Sequence, residues 1–157
     1  MKYLFSIIIL ILLAVNVQAE VRTEVVEYKQ GDAVLEGYLA YDDAVKGKRP
    51  GVLIVHEWMG VNNYVKKRAE QLAKLGYIAF AADIYGKGVR PKTSDEAAAE
   101  SKKYKTDRQL MRARVNAGLE ALKKHKLADT KKTAAIGYCF GGTTVLELGR
   151  SGADVAG

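Results

Sequence analysis

The residues with the clearest chemical potential are Gly-Tyr-Cys-Phe-Gly-Gly at positions 137–142. This spacing is typical of a nucleophile elbow, a tight strand-to-helix turn that lifts one reactive side chain above a β-sheet. Flanking glycines relieve crowding in such a turn, and the helix behind it directs its free N–H groups at the nucleophile. The pattern predicts that Cys139 is a nucleophile whose thiolate form the helix field favours. The alternative is a Gly-rich turn that holds a small buried cysteine.

The usual partners of such a nucleophile are missing from the chain. Folds with this elbow place an acid and then a histidine after the nucleophile, but residues 143–157 contain no histidine. Asp154 follows the elbow too closely to close a further crossover, so we reject it as the acid. The sequence therefore offers a nucleophile site without the rest of its machinery.

Three other residues before the elbow deserve a chemical interpretation. Glu57 follows the apolar run at residues 51–55, in the loop where such folds build a second oxyanion donor. A carboxylate near Cys139 opposes the thiolate by repulsion but could accept the thiol proton; the alternative is a loop carboxylate paired with a lysine. We interpret His56 as a structural loop histidine, because it ends a strand and precedes the nucleophile. We expect His125, within Lys-Lys-His-Lys, to face solvent at a helix end.

The elements that must position these residues alternate along the chain. Strands are predicted at residues 22–29, 34–41, 51–55, 77–82 and 133–138, and helices at residues 62–75, 93–103, 107–124 and 140–149. The first two strands alternate as an antiparallel hairpin does, whereas the later apolar runs indicate strands covered on both faces. Thr93 and Glu96 form a candidate capping box. The order predicts an α/β fold, a three-layer, mostly parallel sheet with helices on both faces.

The first 19 residues indicate export. Lys2 is followed by an apolar run at residues 3–15 and by small residues up to Ala19, the layout of a signal peptide cleaved after Ala19. The apolar run is shorter than the roughly 18–20 residues that span a bilayer, so no stable membrane span is expected after cleavage. We therefore expect a periplasmic or secreted protein whose residues 20–157 form one partial domain.

Composition excludes several classes of function. The net charge of +7 is dispersed and lacks aromatic interleaving, which argues against a nucleic-acid partner. Cys139 is the only cysteine, so an internal disulfide is excluded. No Cys-x-x-Cys pair or histidine cluster indicates a metal site, and no cofactor is predicted.

Three motifs together resemble the dienelactone hydrolase family of the α/β-hydrolase superfamily. They are the elbow with cysteine at position 139, the segment His-Glu-Trp-Met-Gly-Val-Asn at residues 56–62, and Asp-Ile-Tyr-Gly at residues 83–86. Each is weak alone, but their order and spacing match the family from about residue 21 to residue 157.

The resemblance implies roles for particular residues. Cys139 would attack an ester or lactone carbonyl to form an acyl-thiol intermediate, with Glu57 contacting the resting cysteine and helping to generate the thiolate. The backbone N–H groups of Phe140 and Trp58 match the family's oxyanion donors.

Substrate contacts are implied at Tyr85 and Lys87. Lys87 stands where some family members carry an arginine that holds a substrate carboxylate, and a lysine ammonium is a point charge rather than a planar fork. The expected partner is thus a small ester or lactone, with or without a carboxylate.

Family domains extend beyond the nucleophile helix, and the further part holds the triad aspartate, the histidine and the last parallel strands. We therefore expect a fold truncated after that helix, with little or no hydrolysis from the 157 residues alone. An alternative is a non-catalytic exported protein of the same fold that binds a small acidic ligand or a partner. A third alternative is redox chemistry at the lone thiol.

Overall fold

The computed structural model describes residues 20–157; the predicted signal peptide lies outside the described residues. The elements occur in the predicted order of types. They are β1 (Val21–Gln30), β2 (Ala33–Asp42), β3 (Arg49–Val55), α1 (Asn63–Lys74), β4 (Ile78–Ala82), α2 (Ser94–Thr106), α3 (Arg108–Lys124), β5 (Ala128–Gly137) and α4 (Phe140–Arg150).

The strands form one mixed sheet in the order β1-β2-β4-β3-β5. β1 and β2 are the predicted antiparallel hairpin, and β2 also runs antiparallel to β4. β3 lies between β4 and β5 and is parallel to both. Val55 pairs with Ala82 on one side and Gly137 on the other, so these three strands end level. The segments that follow them therefore meet at one edge of the sheet, where α/β folds bind ligands.

Helices cover both faces of the sheet, which confirms the predicted three-layer α/β architecture. On one face, α1 packs Val65, Ala69 and Ala73 against small and branched side chains of the strands. On the other face, buried side chains of α3 and α4 pack against Leu53, Val55, Phe80 and Ala82. Those helical residues are Met111, Val115, Leu119, Leu122, Phe140 and Leu148.

Side-chain caps fix the helix starts. The Asn62 side chain accepts hydrogen bonds from the N–H groups of Tyr64 and Val65 at the start of α1. Thr93 Oγ1 accepts from the Glu96 N–H at 3.2 Å, as the capping box predicts. In a regular capping box the Glu96 carboxylate would accept a hydrogen bond from the N–H of Thr93. Here it accepts from the N–H of Lys92, one residue earlier, at 2.8 Å.

β5 begins five residues earlier than predicted. Arg49 and Pro50 pair with Ala128 and Asp129, and the register then shifts so that Gly51 pairs with Thr133. The intervening residues 130–132 are polar and carry no apolar alternation, so only backbone pairing defines this first part of the strand. Residues 156 and 157 lie along the outer edge of β5, where the Ala156 N–H donates to Thr133 O and the Ala135 N–H donates to Gly157 O.

The prediction for His125 is wrong. Its ring is half-buried, lies 5.5 Å from the Tyr41 ring and accepts a hydrogen bond at Nδ1 from the Leu127 N–H. Burial lowers the pKa of this imidazole. After α3 the chain turns back towards β2, and this turn covers the His125 ring. The polar neighbours of His125 in the sequence predict instead that the ring faces solvent.

Within residues 20–157, no helix combines the length and apolar character needed to cross a bilayer.

Candidate active site

The elbow occupies the turn between β5 and α4. Cys139 has φ 53°, a left-handed conformation that no other non-glycine residue in the described chain adopts. The Gly141 N–H donates to Tyr138 O at 2.8 Å, and the Gly142 N–H donates to Cys139 O at 3.0 Å. The Cys139 side chain is exposed, and α4 begins at the next residue. The turn thus presents a thiol to solvent at the N-terminus of a helix.

Two glycines of the elbow are required by space. A Cβ on Gly137 would lie 2.1 Å from Gly141 O, and a Cβ on Gly141 would lie 2.3 Å from Val55 O. Gly142 differs, because the nearest atom to an added Cβ is 3.6 Å away. The elbow therefore packs directly on the end of β3, which brings Cys139 next to the loop that carries His56, Glu57 and Trp58.

His56 is fully buried at the end of β3. Its Nε2 accepts a hydrogen bond from the Ile84 N–H at 3.2 Å, and Nδ1 lies 2.5 Å from Glu57 O. Nδ1 must therefore carry the proton and donate to that carbonyl. Burial lowers the pKa of the ring to about 4, despite opposing effects of the Glu57 carbonyl and of Asp83. His56 is neutral and engaged at both nitrogens, which agrees with its interpretation as a structural histidine.

An aromatic cluster lies beneath the elbow and the loop. The His56 ring is 4.7 Å from the Tyr85 ring and stacks at 5.8 Å on Phe140. The Tyr85 hydroxyl donates to Trp58 O at 3.0 Å, and the Tyr104 hydroxyl donates to Tyr85 O at 2.8 Å. These bonds tie the loops after β3 and β4 to helix α2.

Both phenols remain protonated. Burial raises the pKa of Tyr104 to about 12. Burial is also the main reason why the pKa of Tyr85 is raised, and the nearby Glu100 carboxylate adds to it. Tyr104 is absent from the sequence-based site, although its spacing from Ala97 and Ser101, the other buried residues of α2, indicates a core position.

Asp83 shapes the loop after β4. It is fully buried, and its carboxylate accepts hydrogen bonds from the N–H groups of Glu36, Tyr85 and Gly86, each at 3.1 Å. Arg90 lies 3.6 Å from the same carboxylate. Gly86 has φ 135°, which a side chain rarely permits. This carboxylate holds the turn that places Tyr85 under the elbow.

The two expected oxyanion donors are free. The N–H groups of Trp58 and Phe140 donate no hydrogen bond to any residue in the range 20–157. For Phe140 this is the normal state of the first N–H of a helix. Trp58 is 37% exposed, whereas the Phe140 side chain is buried.

The other predicted site residues are placed differently. Glu57 is half-buried, and no hydrogen bond joins its carboxylate to the Cys139 thiol among the described residues. Tyr85 is only 4% exposed, with its hydroxyl committed to Trp58 O. Lys87 is exposed and forms an ion pair with Glu27 of β1. Their catalytic and substrate-binding roles stay predictions. Among residues 20–157, no group of three or more potential metal-binding side chains is present.

Comparisons with a family model, with curated proteins and with solved structures all indicate the same family. A model of the dienelactone hydrolase family matches residues 35–157. A Synechocystis sp. protein provisionally named carboxymethylenebutenolidase is 32% identical over 133 residues, which cover 80% of this chain and 53% of that protein. The solved structure of P91, a dienelactone hydrolase-like promiscuous phosphotriesterase from metagenomic libraries, is 38% identical with a TM-score of 0.83. It matches 86% of this chain and 56% of its own.

A structure named m3DLH is similar to the same degree, with 38% identity and a TM-score of 0.84 over 86% of this chain and 56% of its own. The chain spans about half the length of the curated relatives that it matches.

Proposed function

Because the chain belongs to the dienelactone hydrolase family, we propose that it is the nucleophile-bearing part of an exported cysteine hydrolase of small esters or lactones. The observation that carries this proposal is the conformation of Cys139. It combines a positive φ with an exposed thiol at the start of α4, next to two N–H groups that have no partner in the described chain. Holding a residue in a strained conformation is a feature that concentrates at functional sites.

The geometry supports acyl transfer to sulfur. The Cys139 thiolate attacks the carbonyl carbon, the C–S bond forms, and the π electron pair moves to the carbonyl oxygen. The N–H groups of Trp58 and Phe140 then stabilise the oxyanion. When the tetrahedral intermediate collapses, the C–O bond to the leaving group breaks and the alkoxide takes a proton. Water later cleaves the acyl-thiol and restores the thiol.

Glu57 is the proposed acceptor of the thiol proton. It lies in the loop on which the elbow packs, and its half-buried carboxylate is free of ion pairs with described residues. A carboxylate that takes this proton becomes neutral, which removes its repulsion of the thiolate. Glu57→Gln would then slow acylation without removing the thiol.

We infer that the 157 residues acylate faster than they deacylate. Of the two histidines, His56 is buried with both nitrogens bonded, and His125 lies beyond α3 beside Tyr41. Asp154 pairs with Lys123 at 3.4 Å. None of these groups is placed to activate water against an acyl group on Cys139.

Lys87 is the proposed binding residue for a carboxylate on the substrate. The Lys87 ammonium now pairs with Glu27 on the exposed surface, so an acidic substrate must compete with that carboxylate. Exposed ion pairs contribute little free energy, and such competition is feasible.

The test is single-turnover release of p-nitrophenolate from p-nitrophenyl acetate by the purified protein, with intact mass measured afterwards. We expect one acyl group on Cys139 and no burst from Cys139→Ala. A burst that survives in Cys139→Ala would contradict the proposal. An intact thiol with no release of p-nitrophenolate above that of Cys139→Ala would favour the non-catalytic alternative.

Export is a separate proposal that rests on residues 1–19 of the sequence. Mass or N-terminal sequencing of the protein recovered from its natural host should show a mature chain that begins at Glu20. A chain that retains Met1 or its neighbours would contradict cleavage after Ala19.

A further inference from the structure

We propose that His56 is a positioning residue for the oxyanion site, because it fixes the peptide whose N–H belongs to Trp58. This inference rests on the proposed function, and it assigns His56 a role beyond filling the core. The carbonyl of Glu57 and the N–H of Trp58 belong to one peptide group.

The argument begins with the geometry of that peptide. No cis peptide bond occurs within residues 20–157, so the Glu57 C=O and the Trp58 N–H point in opposite directions from one plane. The imidazole Nδ1–H donates to this carbonyl at 2.5 Å from the buried side. A hydrogen bond that holds the carbonyl inward therefore directs the N–H outward.

The ring that makes this contact is itself fixed from several sides. The Ile84 N–H holds Nε2, Tyr85 packs edge-on against the ring, and Phe140 stacks on it. Phe140 carries the second proposed donor. One buried side chain thus contacts Phe140 and the peptide group that carries the Trp58 N–H, and it couples the positions of the two donors.

The loop itself provides little other restraint at this peptide. The only other hydrogen bond to Glu57 O within the described chain is a long one, 3.4 Å, from the Gly60 N–H. Trp58 is partly exposed, and Gly60 has φ 76°.

Donation to a carbonyl also polarises the N–H of the same peptide, since linked hydrogen bonds strengthen each other. Loss of one oxyanion donor costs roughly 10²–10³ in rate in hydrolases.

The experiment compares two reactions of the same thiol. Acylation by p-nitrophenyl acetate develops an oxyanion, whereas alkylation by iodoacetamide proceeds by displacement at carbon and develops none. Both rates are measured for the wild type, His56→Leu and His56→Asn. Asparagine carries an amide N–H close to the position of Nδ1, whereas leucine has no donor.

We expect His56→Leu to lower the ratio of acylation to alkylation roughly tenfold or more, and His56→Asn to restore a substantial part of it. If both rates fall by the same factor in every variant that folds, His56 is only a core residue and the inference is wrong. If His56→Leu does not fold, His56→Met, which also lacks a donor, takes its place, and an unchanged ratio in that variant overturns the inference.

The two proposals fail in different ways. Suppose that wild-type Cys139 is acylated but the ratio of acylation to alkylation is unchanged in the variant without a donor. That result overturns the role of His56 and leaves the proposed function intact. A wild-type thiol that alkylates but never acylates contradicts both proposals.

Discussion

At the level of single residues, the elbow depends on space as much as on its thiol. Gly137 lets the start of α4 lie against the end of β5, and Gly141 lets it approach the end of β3, because the carbonyls of Val55 and His56 lie within 2.7 Å of a Cβ added to Gly141. Val55 ends a central strand of the sheet and His56 follows it directly, so these backbone atoms cannot move independently. Any side chain at position 141 must therefore displace the nucleophile or the loop that carries Trp58.

Gly141→Ala should destabilise the protein by about 3 kcal/mol, the upper range for overpacking of a core. Gly142→Ala is the matched control, because its Cβ has space and the helix gains up to about 1 kcal/mol from alanine. Urea unfolding followed by circular dichroism measures both free energies. Equal stability of the two variants would contradict the close approach of α4 to β3.

His56 should make stability depend on pH. Its pKa is about 4 in the folded protein and about 6.5 when unfolded, so the unfolded chain binds more protons between these values. The free energy of unfolding therefore falls as the pH drops from 6.5 to 4, by up to about 3 kcal/mol from this group.

His56→Asn removes that contribution, and urea unfolding at about pH 7 and pH 4.5 should show a shallower pH dependence than in the wild type. His125→Asn is the control, since its half-buried ring should contribute less. The prediction is wrong if the two variants change the pH dependence equally.

At the level of elements, helices α3 and α4 are joined by a buried carboxylate. Glu147 of α4 is 5% exposed and accepts hydrogen bonds from Arg112 of α3 at 2.8 Å and from Arg150 of its own helix at 2.7 Å. Bonds from Arg150 and Arg112 lower the pKa of this carboxyl group. The link stabilises the helix that carries the nucleophile at its first turn.

Arg112→Ala should lower the midpoint of urea unfolding more than Arg150→Ala does. Arg112 connects two helices, whereas the exposed Arg150 pairs only within one. The carboxyl group stabilises the fold above its ordinary pKa, and this contribution is lost as the pH falls through the folded value. The difference between Arg112→Ala and the wild type should therefore shrink at about pH 3. A difference that is unchanged in acid would exclude the ion pair as its cause.

Local signals predict most of the elements, and long-range contacts account for what they miss. The hairpin, the Asn62 and Thr93 helix starts and the elbow each depend on a few neighbouring residues. By contrast, α2 extends past residue 103 to Thr106, and its Tyr104 hydroxyl donates to Tyr85 O in the loop after β4, a contact that no local pattern indicates. Similarly, the ion pair of Lys87 with Glu27 spans 60 positions, and no pattern in either segment indicates it.

At the level of the whole molecule, the site is a consequence of sheet order. β3 lies between β4 and β5, and all three end at the same level, so three loops meet around Cys139. The family motifs predict this edge, but they do not predict that His56 connects all three. That role follows from its burial between Ile84, Tyr85 and Phe140, and sequence alone gives no distance between these residues.

Among residues 20–157, no histidine is placed to activate water at Cys139, which leads to a prediction about turnover. With p-nitrophenyl acetate, the 157-residue protein should show a burst of about one equivalent and a much slower steady state, because water must attack the acyl-thiol without help from a histidine. Imidazole in the buffer supplies a small base and nucleophile near neutral pH. It should raise the steady-state rate in proportion to its concentration while leaving the burst amplitude unchanged. Since imidazole also cleaves this ester directly, Cys139→Ala at each concentration gives the background. A steady state as fast as the burst would show that a residue of this chain already activates water.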